Sequence, residues 1–269
     1  MARLTAEDFE AKRAAKHIVY GPIKSRRLGL SLGVNILPHT VKLCSFDCVY
    51  CECGFSTPGK KERVPTADQI EQSLRNRLIE LKNEGNLPDS ITFSGNGEPT
   101  LHPDFEPIIG RVLSLRDELA PQTKVTVLSN ATRIGEEKVF RALKMVENPI
   151  LKLDSAITAT MRIIDMPHVA NFTSEELIHR LEDFQGNVVI QTILVRGEYN
   201  GNPFDNTTAA EQDAYLNAIR TIKPRQVMLY ALDRPAPVEH IEKVNIQELN
   251  KLANRIRTLG LDIDVCVAG

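Results

Sequence analysis

Short apolar runs recur along the chain, and most are followed by a stretch whose apolar positions repeat every three or four residues. The runs fall at 31–37, 90–94, 124–129, 150–154, 187–195, 226–231 and 261–267, and they suit strands buried on both faces of a parallel sheet. A first long helix is predicted to open at Thr66, where Gln69 three residues on completes a capping box. It carries Ile70, Leu74, Leu78 and Leu81 on one face and closes at Gly85. Further helices are predicted at 104–118, 135–146, 173–184, 209–223 and 246–259, two of them capped by Thr173 with Glu176 and by Asn245 with Glu248. Residues 1–16 are charged and rich in alanine and read as a short helix, whereas the string 20–29, marked by glycine and proline, reads as a loop. Six or so strand-helix units with right-handed crossovers make a parallel sheet that curls, its helices outside. The count stops short of eight units, so the expected fold is α/β, an incomplete, open (β/α)6 barrel. We expect one domain over 1–269, with 1–30 as an N-terminal extension and 31–269 as the partial barrel. Loops at the C-terminal strand ends would form its active face, and the stretch after the first strand lies there.

Composition narrows the function classes. The chain has 269 residues, 42% hydrophobic and 25% charged, with a net charge of -2, an ordinary globular balance without the basic excess typical of nucleic-acid-binding modules. No apolar run approaches the roughly 18 residues that span a bilayer, and nothing at the N-terminus reads as a signal peptide. A soluble, cytoplasmic protein with no membrane partner is expected.

The chemistry concentrates in Cys44-Ser45-Phe46-Asp47-Cys48-Val49-Tyr50-Cys51, which holds three of the chain's five cysteines. Thiolates are the usual protein ligands of iron-sulfur clusters, and three of them leave one iron of a four-iron cluster uncovered. Zinc with Cys53 as a fourth ligand is the alternative, although structural zinc sites usually pair two separated C-x-x-C knuckles. A disulfide is disfavoured where cytosolic thiols stay reduced. The spacing C-x-x-x-C-x-x-C, with Tyr50 just before the last cysteine, resembles the cluster loop of the radical S-adenosylmethionine (SAM) superfamily. That resemblance implies a TIM-like partial barrel and a [4Fe-4S] cluster on Cys44, Cys48 and Cys51, with SAM chelating the fourth iron. It also implies an external electron donor of the flavodoxin or ferredoxin type. Reductive cleavage of SAM would yield a 5'-deoxyadenosyl radical that takes hydrogen from a substrate, with no protein residue assigned as catalytic.

Gly95-Asn96-Gly97-Glu98-Pro99 ends the second strand. It resembles the superfamily's Gly-Gly-Glu-Pro motif, which binds the amino group of SAM. Asn96 departs from that pattern, so Gly97, Glu98 and Pro99 carry over, with Gly95 as backbone neighbour. Asp154 ends an apolar run and is expected on the SAM ribose. Gln191, inside a strand, needs a partner that a nucleoside would provide. Asn130 is expected either at the cofactor or as a cap or turn residue, and Ser155 shares that second reading. Tyr20 to Gly33, Phe46 to Cys51, Gly97 to Pro103 and Leu229 to Pro235 together look like the branch of wybutosine-synthesis enzymes, which modify a guanine base in tRNA. The chain lacks that branch's additional cysteines, since only Cys53 and Cys266 remain unassigned. RNA base modification is therefore the first expectation for substrate, a peptide or protein (as for glycyl-radical activating members) the second, and a non-enzymatic iron-sulfur or zinc scaffold the third. Arg26, Arg27, Arg196 and Arg234 are candidate substrate residues, because guanidinium forks match phosphate and carboxylate. The predicted long loops 155–171, 196–207 and 232–243 border the expected substrate entrance.

Overall fold

A computed structural model of the chain describes residues 5–14, 17–57, 59 and 62–268. Of the helix expected in 1–16, α1 (Ala6–Ala14) forms, while Met1, Ala2, Arg3, Leu4, Ala15 and Lys16 lie outside the described residues. In chain order there follow β1 (Val19–Ser25), β2 (Gly29–Val34), α2 (Ala67–Asn83), β3 (Ser90–Phe93), α3 (Phe105–Leu119), β4 (Lys124–Ser129), α4 (Glu137–Met145) and β5 (Asn148–Lys152). Then come α5 (Thr158–Asp165), α6 (Ser174–Glu182), β6 (Val189–Tyr199), β7 (Asn202–Asp205), α7 (Ala209–Ile222), β8 (Gln226–Ala231), β9 (Ile241–Lys243), α8 (Ile246–Arg257) and β10 (Asp264–Ala268).

The row β2-β3-β4-β5-β6-β8-β10 is parallel throughout, with β1 antiparallel on β2 at one edge and β10 at the other. Six crossovers therefore join seven parallel strands, and the curled half-barrel stays open because β1 and β10 do not pair. The capping boxes at Thr66 and Asn245 form as expected, and Thr173 accepts from the Glu176 backbone. Alternation along each strand divides the sheet's two faces. Ile91, Phe93, Val125, Val127 and Leu151 join the main core with Leu74 and Leu78 of α2. Ile150, Val189 and Met228 form a separate small cluster with Leu28, Leu128 and Cys266 on the concave side. The concave face is otherwise polar: Ser31 meets Thr92 at 2.8 Å, Ser90 meets Thr126 at 2.7 Å, and Asn148 donates to Thr126 at 3.1 Å.

Three sequence expectations are corrected. The string 20–29 is not all loop: β1 forms there, since a proline on an edge strand costs no ladder bond that a neighbour needs. The segment 155–171 is not one long loop but contains α5, whose Met161 and Ile164 are buried. The segments 196–207 and 232–243 are likewise partly ordered, because β7 and β9 both pair with the extended end of β6. Among the described residues, no helix is long and apolar enough to cross a membrane.

Candidate metal and cofactor centre

The cysteine loop leaves β2 at the C-terminal end of the row and is held from both sides by backbone bonds. On one side Leu43 N donates to Asn96 O and Glu98 N to Leu43 O, both at 2.9 Å. On the other, Val49 N donates to Ile164 O at 2.8 Å and His168 N to Ser45 O at 2.9 Å. The α5 segment missed from sequence is thus what the loop rests on. Phe46 and Val49 are buried anchors, Phe46 lying edge-on to Phe172 at 5.6 Å, and the thiols alternate with them.

Gly97 shows why this segment needs glycine. Its φ is +143°, and a Cβ would stand 1.7 Å from Leu43 O. A Cβ on Gly95 would meet Asn35 Oδ1 at 2.1 Å. Both glycines therefore serve close packing of chain on chain. Asn96 is fully buried, and its Nδ2 donates to Pro38 O at 2.9 Å, His39 O at 2.8 Å and Arg13 O at 3.2 Å. The departure from glycine thus ties α1 and the β2 exit to the end of β3. Pro99, also buried, opens a short 3-10 turn that Glu98 caps.

Glu98 is buried, and its carboxylate takes four donors: Thr100 N (3.1 Å), Thr100 Oγ1 (2.6 Å), Ser129 Oγ (2.8 Å) and Asn130 N (2.6 Å). Three of these donors crowd Oε1, while Oε2 takes only the one from Asn130 N and keeps an acceptor site. Its side chain ties the end of β3 to the end of β4. Burial pushes its pKa up while those donors pull it down, and burial prevails. Asn130, held in turn, reaches Cys44 Sγ with its amide at 3.7 Å and donates to Ser45 Oγ at 2.9 Å.

Lys152, the last residue of β5, is the residue that sequence reasoning undervalued. Its Nζ donates to Cys48 Sγ at 3.0 Å, Tyr50 Oη at 2.6 Å and Asp165 Oδ1 at 3.3 Å, and it stands 3.5 Å from Asp154 Oδ2. Burial opposes its charge, but Asp165, Cys48 and Asp154 outweigh burial and hold it well above the usual lysine range. Asp165 itself is pushed up to about 8 by burial, against the pull of Lys152. The available signal was a lysine inside the apolar run Ile150-Leu151-Lys152-Leu153. Asp154, also buried, accepts from Tyr50 Oη and from Ile193 N, the latter at 3.0 Å. Ser155 Oγ bonds Glu211 at 2.7 Å and accepts from Ile157 N at 2.9 Å, a turn role. Gln191 is half-buried, and its side-chain amide has no hydrogen-bond partner among the described residues.

Lys42 is a second buried ammonium, donating to Asp47 Oδ1 and Gly54 O, each at 2.9 Å. Burial lowers its pKa, yet the charges of Cys51, Cys44, Cys48 and Asp47 raise it overall. Burial pushes the Cys44 thiol up to about 11 and drives Cys48 well above its ordinary value, whereas a hydrogen bond from Cys53 pulls Cys51 well down. Gly95 O, 3.4 Å from Cys53 Sγ, is the alternative acceptor for the same S–H. Among the described residues no three His, Cys, Asp or Glu side chains converge closely enough to hold a single metal ion. The donor set suits a larger thiolate-ligated body: three thiols on one loop, two of them approached by N–H donors from β5 and the β4 end, the outer contacts that orient and tune cluster ligands. Cys266 lies in the concave cluster with Met228, on β10 rather than on this loop.

The four arginines divide. Arg26 pairs with Asp233 at 3.2 Å, Arg234 with Glu52 at 2.6 Å, and Arg196 with Glu248 and, at 4.0 Å, with Asp205. Arg27 makes no ion pair among the described residues and lies over the Tyr230 ring, 4.8 Å from its centroid. A cavity of about 600 Å³ opens at the opposite end of the strands from the thiols. It is lined by Arg27, Leu28 and the first residues of four strands, Ser90, Lys124, Asn148 and Gln226.

Comparison with known proteins agrees with this geometry. A UPF0026 protein of Synechocystis sp. is 31% identical over 82% of this chain and 77% of its own length. A protein of Brachyspira hyodysenteriae named GTPase Obg is 28% identical over 92% of this chain, which spans only 35% of that protein. Among solved structures, Streptococcus suis SuiB bound to S-adenosylmethionine superposes with a TM-score of 0.64 at 15% identity, over 88% of this chain and 50% of SuiB. TYW1 with a lysine-pyruvate adduct bound gives a TM-score of 0.59 at 14% identity, over 85% of this chain and 73% of TYW1. The sequence profile of the Radical SAM superfamily matches residues 40–206, from just before the first cysteine to the end of the β6-β7 hairpin, and the chain belongs to that superfamily.

Proposed function

We propose that Cys44, Cys48 and Cys51 hold the superfamily's [4Fe-4S] cluster and that the enzyme acts on a compact substrate, a peptide or small molecule, admitted to the concave side of the barrel. When bound, cluster and SAM supply a 5'-deoxyadenosyl radical that removes a hydrogen atom from the substrate, the electron coming from a flavodoxin- or ferredoxin-type donor. The observation that carries the assignment is the meeting of Asn130 and Lys152, from two different strands, on the sulfurs of a single loop. Lys152 orients Tyr50 beside Cys51 and balances Asp154 and Asp165, so the wall next to the thiols is polar and ordered. Asp154 and Gln191 line that wall, and we assign them to the nucleoside part of SAM. The segment Gly95 to Pro99 is assigned to its methionine part through its backbone, since the Glu98 side chain is buried and already holds Thr100, Ser129 and Asn130.

RNA base modification is the competing substrate reading. It would call for cations free to follow a phosphate backbone. Three of the four arginines considered for that role are engaged by acids, which favours the compact substrate. The test is anaerobic: reconstituted protein with dithionite should convert SAM to 5'-deoxyadenosine and methionine, and Cys44→Ala, Cys48→Ala or Cys51→Ala should abolish both iron loading and cleavage. Cys53→Ala should retain both. Salt-dependent binding of total tRNA would favour the RNA reading instead.

A further inference from the structure

Arg27 stands apart from every other arginine considered for substrate binding. It occupies the turn between β1 and β2, where the next residue, Leu28, enters the small apolar cluster inside the barrel. Its guanidinium stacks on Tyr230, which lies near enough to Tyr50 of the cysteine loop for the two hydroxyls to perturb each other. One aromatic ring therefore separates this cation from the residue that precedes Cys51. Its Nη1 is buried and has no hydrogen-bond partner among the described residues. Its sequence neighbour Arg26 turns outward to Asp233.

A permanently charged group with a buried, unpaired N–H is costly unless an acceptor arrives from outside the chain. Lys152, the other cation near Tyr230, is already held by Asp154 and Asp165. No acidic side chain offers Arg27 the same among the described residues. A planar fork presented above an aromatic ring matches the two oxygens of a carboxylate or phosphate.

We propose that Arg27 receives the oxyanion of the substrate, a carboxylate or a phosphate group, and so orients the substrate on the concave side of the barrel, with that end toward the cavity Arg27 lines. This rests on the function proposed above and names the substrate class for that site. Gln191, also on the inner side and with no side-chain partner among the described residues, is available to neighbouring polar groups of the same bound molecules.

The test uses anaerobically reconstituted holoenzyme with SAM, titrated calorimetrically with inorganic phosphate in one arm and succinate in the other. Wild type should bind at least one probe saturably, and the stronger arm identifies the oxyanion. Arg27→Gln should weaken that binding by about tenfold or more, the loss expected for a charge-assisted hydrogen bond, while Arg26→Gln stays within about twofold of wild type. Arg27→Lys keeps the cation without the fork and should fall between, which preserves the test should Arg27→Gln not fold. Binding that is unchanged in Arg27→Gln or Arg27→Lys, or wild type that saturates with neither probe, overturns the proposal. SAM cleavage by the same wild-type preparation separates the two ideas: cleavage without probe binding refutes the role of Arg27 alone, whereas absence of cleavage refutes the function on which it rests.

Discussion

Replacing Glu98 by Gln separates a strand tie from a cofactor ligand. The carboxylate accepts three bonds on Oε1 and one, from Asn130 N, on Oε2. In the least disruptive placement, the amide nitrogen of Gln replaces Oε2 and faces the Asn130 N–H, so one charge-assisted backbone bond becomes a donor-donor contact. The three remaining bonds pass to a neutral oxygen and weaken. Hydrogen bonds to charged groups contribute about 1.5–3 kcal/mol each, and removing a buried charge recovers part of the loss, so a net destabilisation of about 2 kcal/mol is expected. For a chain of this size that lowers the melting temperature by roughly 4–8 °C. The measurement is thermal or urea unfolding of protein stripped of cluster and SAM, so that no ligand contributes. Should Glu98→Gln unfold at the wild-type midpoint and yet bind SAM more weakly after reconstitution, the carboxylate serves the ligand rather than the strand tie.

Further expectations follow from the same contacts. Lys152→Met removes the ammonium that donates to Cys48 Sγ; the cluster potential should fall by on the order of tens of millivolts, read by an EPR-monitored redox titration, and an unchanged potential would place Lys152 outside the cluster's electrostatics. Gly97→Ala sets a Cβ against Leu43 O at a backbone angle that L side chains rarely adopt, so iron content after reconstitution should drop well below wild type. Asn96→Ala leaves three carbonyls, two of them in buried bonds, without their shared donor and should cost about 1–3 kcal/mol in urea unfolding of the stripped protein. Asn96→Gly, which restores the common motif residue, should not recover that loss.

What the sequence determined alone was whatever local spacing encodes. The seven apolar runs, the boxes at Thr66 and Asn245 and the three-cysteine spacing are properties of neighbouring residues, and they were enough to establish an open parallel barrel with a cluster loop after its first core strand. Elements whose signals conflicted were misread: β1 carries Gly21 and Pro22, and α5 is one short amphipathic stretch amid turn residues. Only the tertiary structure decided how charges pair, because ion pairing depends on contacts between residues far apart in the chain. It neutralised Arg26, Arg196 and Arg234 with acids from other segments, brought Lys152 and Asn130 onto thiols 104 and 86 residues away, and set donors from the end of β4 on Glu98. A lysine in a strand and a glutamate after a glycine look alike in sequence whether they face solvent, ligand or core. The curl of the sheet brings strand ends together over one loop, and that gathering, invisible to any local pattern, gives each side chain its partner.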